Sequence, residues 1–168
     1  MNDSLSNDFT GEDQSKLPSG LNVLTILTII GSIIGLIFSV YGFFTAKTNY
    51  ERTKDLMNSP EKMEAMPGWA KGMITPEGLA MQQKMMENKL PILILSLVAL
   101  ALCLYGAMEM RKRKKQGYIL WLIGEILPIG TSLLFIGTMA MKGFGLMMVF
   151  IPILFIILYT VNKKELIY

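Results

Sequence analysis

The chain contains no histidine and a single cysteine, Cys103, among 168 residues. Without histidine it lacks the side chain that titrates nearest neutral pH, the commonest metal ligand and the commonest general base. One cysteine excludes an intrachain disulfide and, with histidine absent, removes the usual zinc and haem ligand sets. Charge is scarce as well: Asp, Glu, Lys and Arg make up 17% of the residues, for a net charge of +3. No phosphate-cradling glycine loop and no nucleophile placed beside a base can be found. The chain is therefore not expected to be an enzyme, to hold a cofactor or metal, or to bind nucleic acid.

What it has instead is apolar length. Hydrophobic residues reach 52% with a mean hydropathy of +0.44, above the apolar share of an ordinary soluble domain. Four runs, 21–44, 90–110, 118–141 and 144–161, each approach the ~20 residues that cross a ~30 Å hydrocarbon layer as a helix. Lipid offers no partner for free backbone amides, so runs of this continuity are expected to be helical, whereas barrel strands would be half as long and alternate in polarity. The expected fold is all-α: an integral membrane bundle of four transmembrane helices. An outer loop, 45–89, and a basic inner loop, 111–117, connect them. Residues 1–20 read as a solvated, disordered tail. With Asp3, Asp8, Glu12 and Asp13 against Lys16 alone, this leader is too acidic for a cleaved signal peptide.

Arg111, Lys112, Arg113, Lys114 and Lys115 form the only short loop with such charge, and short cation-rich loops stay cytoplasmic. Both termini are then cytoplasmic and 45–89 faces outward, in a multi-pass protein of the cell membrane, read as a bacterial inner membrane. Lys163 and Lys164 agree with this. Lys47, Arg52 and Lys54, which follow the first run, pull the other way, but longer loops translocate largely regardless of charge.

The outer loop is nearly neutral, with seven cations and six anions. Ser59-Pro60-Glu61 and Thr75-Pro76-Glu77 each read as a helix start: a capping hydroxyl, proline at the first helical position and an acid at the positive end. Met66-Pro67-Gly68-Trp69 breaks the chain between them. Two short amphipathic helices are expected, the second running into the second span, where Pro91 is tolerated in the first turn. Met57, Met63, Met66, Met73, Met81, Met85 and Met86 lie in this loop, and Met139, Met141, Met147 and Met148 are expected at the same membrane face. Thioethers select Cu(I), but without histidine or a second cysteine the preferred reading is flexible apolar packing or a partner surface.

Within the spans, Gly31, Gly35 and Ser39 recur at intervals of four, Ser96, Ala99, Cys103 and Gly106 form a second stripe, and Gly117, Gly124, Thr131 and Thr138 a third. Small residues let helix backbones approach. The fourth run, bent at Pro152, is bulky and expected to face lipid. Tyr118, Trp121 and Tyr159 are expected in an inner aromatic belt.

Glu125 is the one charged-type residue well inside a run. Insertion scales assign up to ~3 kcal/mol to such a side chain at mid-bilayer, so it is expected to face the bundle interior, protonated or supplied with donors. Ser132 lies two turns along the same face, and Pro128 frees the Gly124 carbonyl. Matching depths across antiparallel helices adds Thr28, Ser32, Cys103 and Tyr105 to a polar cluster. Two readings stay open: a structural hydrogen-bonded pin, which is preferred, or a proton or cation site. The corresponding functions are an accessory or scaffold subunit of a membrane assembly, with the methionine-rich loop as contact surface, or a small proton- or ion-coupled transporter using Glu125. The first implies a protein partner; the second nearly requires a homo-oligomer, because four spans seldom enclose a path.

Overall fold

A computed structural model describes residues 17–71, 74–141 and 145–167, and their side chains apart from Trp69, Met139, Met141 and 145–148. The expected tail therefore lies outside the described residues up to position 16, as do Met73 and the side chains of four other methionines in the readings above. All regular structure among the described residues is helical.

Helix α1 runs from Ser19 to Met57, 39 residues and about 58 Å at 1.5 Å per residue, nearly twice the hydrocarbon thickness. A helix stopping at 44 was expected. It continues because 45–57 contains neither glycine nor proline, and Lys47 and Glu51 pair one turn apart at 3.7 Å. It stops at Asn58, two residues before Pro60, whose ring disfavours helical geometry in the preceding residue. Three short helices follow: α2 (Pro60–Glu64), α3 (Gly68–Lys71) and α4 (Pro76–Glu87). At α4 the Thr75 hydroxyl accepts from the Gly78 amide at 3.0 Å, while Ser59 makes no such bond at α2. Asn88 alone separates α4 from α5 (Lys89–Arg111).

Helix α6 covers Lys115–Phe135, so the basic loop expected over 111–117 contracts to the three residues Lys112–Lys114, with Arg113 at φ 58°. Helix α6 also ends earlier than the apolar run. Gly137 adopts φ 86°, and the amides of Ile136 and Gly137 both donate to the Ser132 carbonyl, a left-handed stop that glycine alone adopts without strain. The Lys84 ammonium donates to the Ile136 carbonyl at 3.1 Å, placing a cation at the negative end of α6. A 3-10 turn, Thr138–Met141, precedes α7 (Gly145–Asn162).

Helices α1, α5 and α6 are each long and apolar enough to cross a membrane. Only 22% of each apolar window is buried, so most of that surface points outward, with Phe44 and Leu134 about three-quarters exposed. In water such a surface would collapse; in lipid it is satisfied. By length and composition, these three helices are consistent with a helical membrane protein.

The tightest contact is the α5/α6 hairpin. A methyl group placed on Gly106 would lie 2.6 Å from the Trp121 amide nitrogen, and one on Gly124 2.7 Å from the Ala99 carbonyl, so the backbones meet where side chains are missing. Gly35 brings α1 against Leu100. Gly31 does not pack against a helix, contrary to expectation: nothing lies within 4 Å of its missing methyl. Ser39 is half-buried.

The core gathers at the end of the basic turn, where Tyr118 and Trp121 ring centres lie 6.0 Å apart and Trp121 and Tyr159 4.2 Å. These rings are buried; the membrane-surface belt expected from the sequence is instead the stack that docks α7, and Tyr159 shows that the fourth run is not simply lipid-facing. Arg111 donates to Asn22 Oδ1 at 3.0 Å and Thr25 Oγ1 at 3.2 Å, tying the turn to α1. Buried Glu109 pairs with Lys112 at 2.9 Å and Lys114 at 2.7 Å, rather than with the arginines beside it in sequence. Its carboxylate holds the Lys112 ammonium above the ordinary lysine range. The Ile167 amide donates to the Arg113 carbonyl at 3.0 Å, so both described ends of the chain meet the basic turn.

Candidate functional site

Above this packed end, away from the basic turn, the helices part around a half-open cavity of about 610 Å³. The opening follows from what its walls lack. Gly31 and Ser32 on α1 contribute almost no bulk to the wall facing the close-packed α5/α6 pair, and Pro128 and Pro152 stand in the walls contributed by α6 and α7. Proline within a helix removes a backbone hydrogen bond and keeps neighbours from closing tightly. Met81 and Met85 of α4 line it at the end away from the basic turn.

Five of the six residues expected to form a polar cluster line this one cavity: Glu125, Ser132, Thr28, Ser32 and Cys103. Tyr105 does not. It is 51% exposed on the outer face of α5, because a residue two positions from Cys103 sits about 200° around the helix.

Glu125 lies ten residues beyond Lys115, about 15 Å along α6 and thus near the depth of a bilayer midplane. Among the described residues its Oε2 has one polar contact, the Cys103 thiol at 3.7 Å, and the same sulfur lies 3.8 Å from the Trp121 carbonyl. A thiol is a weak donor, so this contact compensates little of the charge of a carboxylate. Thr28 is already committed, sharing a 2.8 Å hydrogen bond with the Tyr159 hydroxyl. The side-chain hydroxyls of Ser32 and Ser132 have no hydrogen-bond partner among the described residues. The cavity thus presents one under-compensated carboxyl and two spare hydroxyls on an otherwise apolar wall. No group of three or more His, Cys, Asp or Glu residues able to hold a metal occurs among the described residues.

The roof was missed as part of the site. Met81 and Met85, read from the sequence with the other loop methionines as flexible packing or a partner surface, line the cavity, where thioethers form a soft apolar lining. Phe155, from the run expected to face lipid, closes the opposite side. Comparisons with protein-family models, with curated proteins and with solved structures return no match.

Proposed function

We propose that this membrane protein binds a small lipophilic cation in the cavity between α1, α5, α6 and α7, with Glu125 as counter-ion, and moves it in exchange for a proton. The single observation that carries the reading is a lone carboxyl in an apolar intramembrane cavity with only a thiol for a protein partner. Ionised, that carboxyl needs a cation; protonated, it needs none, so ligand and proton compete for one group. A volume of about 610 Å³ far exceeds a bare ion and falls within the ~300–1,000 Å³ typical of organic ligand sites. Proline in α6 and in α7 supplies flexible points beside the carboxyl, as in carriers built from interrupted helices. In this reading α7 is the fourth span, both termini are cytoplasmic, and a second copy completes the path.

The accessory-subunit reading rested on an outward methionine surface. Met81 and Met85 line the cavity while Met85 also stays 40% exposed, so the methionine-rich segment still offers a contact surface, and the accessory role is the second reading.

The test uses the full chain in detergent with tetraphenylphosphonium, a lipophilic cation without hydrogen-bond donors. The wild type is expected to bind it with affinity that falls as pH drops and Glu125 protonates. Glu125→Gln, isosteric and neutral, is expected to lose at least tenfold in affinity, the equivalent of about 1.4 kcal/mol, while keeping its helical content. In proteoliposomes the cation gradient should drive proton flux in the wild type alone. Equal binding by both proteins would overturn the proposal, and a stoichiometric protein partner recovered without any binding would restore the accessory role.

A further inference from the structure

Two ends and a side bound the cavity around Glu125, and they differ in what they would admit. Toward the basic turn, the buried rings of Tyr118, Trp121 and Tyr159 fill the space between the helices. At the other end the lining is Met81, Met85, Ile136 and Ala140, which offer water no hydrogen-bond partner through their side chains. The side is different. Leu27 of α1, Leu133 of α6 and Ile151 of α7 line the cavity and are also 47%, 40% and 53% exposed, so the lining continues onto the outer surface. Measured from the basic end, Leu27 lies eight residues past Ser19, Ile151 eleven before Asn162 and Leu133 eighteen past Lys115. At 1.5 Å per residue these are depths of about 12, 16 and 27 Å, all within a ~30 Å hydrocarbon layer.

The position of the opening follows from how α7 is held. Helix α5 lies against α6 at Gly106 and Gly124, and against α1 at Gly35, which leaves the seams beside α7. The side-chain hydrogen bonds of α7 to other helices sit in its last turn, Tyr159 to Thr28 at 2.8 Å and Thr160 to Tyr118 at 2.9 Å. From Val149 to Leu158 every side chain is apolar, so this stretch can shift against its neighbours without breaking a polar contact. Pro152 also lacks the amide that would bond the Met148 carbonyl. The outer half of α7 is thereby a wall tied at one end and jointed in the middle.

We infer that the cavity is loaded sideways from the bilayer, through the seam beside α7, rather than from water at either end. The class of ligand follows: a cation whose apolar body places it in the membrane before it reaches Glu125. A hydrated ion or a hydrophilic solute finds no partner in a seam of leucine and isoleucine. This route rests on the binding reading proposed above, while the opening itself is measurable without a ligand.

Nitroxide accessibility in proteoliposomes tests it. With Cys103→Ser removing the native thiol, one spin label enters the cavity through Gly31→Cys, where nothing lies within 4 Å of an added methyl. A second protein carries the label at Ile30→Cys, 49% exposed on the same helix and only about 1.5 Å away in depth. Ser132→Cys and Leu134→Cys repeat the comparison on α6, so the result does not depend on the folding of one variant. Oxygen concentrates in hydrocarbon and a neutral nickel chelate in water, so a seam open to lipid is expected to give each pair the same oxygen-to-nickel relaxation ratio within about twofold. A ratio roughly tenfold lower at the cavity label would mean a water-filled cavity, and oxygen relaxation far below that of its partner a sealed one; either would overturn the route. Ile151→Trp, which narrows the seam, is expected to slow tetraphenylphosphonium association about tenfold, and an unchanged rate would count equally against it. Failure of the cation to bind shows in the titration alone and leaves the relaxation ratios as they are, so the two readings fall separately.

Discussion

Replacing Gly106 by alanine adds one methyl group at the closest approach of α5 and α6. That methyl would meet the Trp121 amide nitrogen at 2.6 Å and the Gly117 carbonyl at 2.7 Å. Ordinary contact begins near 3.4 Å, so the helices must separate by about 0.8 Å. No rotamer change relieves this, because both obstacles are backbone, and the opposing Gly117 is just as confined, its own added methyl falling 2.6 Å from the Gly106 carbonyl. Overpacking of this kind costs typically 1–3 kcal/mol, and a clash between backbones belongs at the upper end. The gain in helix propensity from glycine to alanine, at most ~1 kcal/mol, offsets part of it and must be controlled for. Gly130 lies on α6 with nothing within 4 Å, so Gly130→Ala collects the propensity gain without the clash. The difference in unfolding free energy between the two variants, measured by reversible denaturation in mixed micelles, is then expected to be about 2–3 kcal/mol in disfavour of Gly106→Ala. Separation should also loosen the Trp121 stack and shift its fluorescence. Equal stability of the two variants would refute the claim that missing side chains hold this hairpin together.

Three further outcomes are expected. Tyr159→Phe and Thr28→Val each remove one side of the 2.8 Å bond that docks α7 on α1; a double-mutant cycle should return a coupling of about 0.5–1.5 kcal/mol, and none would mean that α7 is held by ring packing alone. Ser132→Leu places apolar bulk in the cavity at a hydroxyl without a partner, so tetraphenylphosphonium binding should be lost while stability stays equal or rises. Lys112 has a folded-state pKa raised above the ordinary 10.5, chiefly by its bond to Glu109. Its contribution to stability is therefore fully present below that ordinary value and lost as pH rises through the folded one. Nζ-detected NMR titration should show the shift and its disappearance in Glu109→Gln.

The membrane class and helical content were legible because they depend on run length and backbone satisfaction, which need no partner. The ends of the helices were less so. Helix α1 outlasted its apolar run because polarity does not terminate a helix; only Pro60 did, and the sequence reading stopped at the change in hydropathy instead. Gly137 as the end of α6 was in principle readable, since glycine followed by a change of direction is a familiar stop.

The candidate site divides along a similar line. Depth is set by counting, so Thr28, Ser32, Cys103, Glu125 and Ser132 could be assigned to one level before any helix was packed. Facing is set by angle, and there the reading of Tyr105 contradicted its own arithmetic, since two residues turn a helix by about 200°. Gly31 shows the deeper limit. Its spacing from Gly35 is that of a packing groove, yet Gly35 meets Leu100 and Gly31 meets nothing. Whether a gap between small residues fills with a neighbouring backbone or stays open depends on where the neighbours are held. Here Tyr159 and the α5/α6 glycines hold them together at the basic end, so the helices diverge from that point and the same kind of residue that closes the bundle at Gly106 opens it at Gly31.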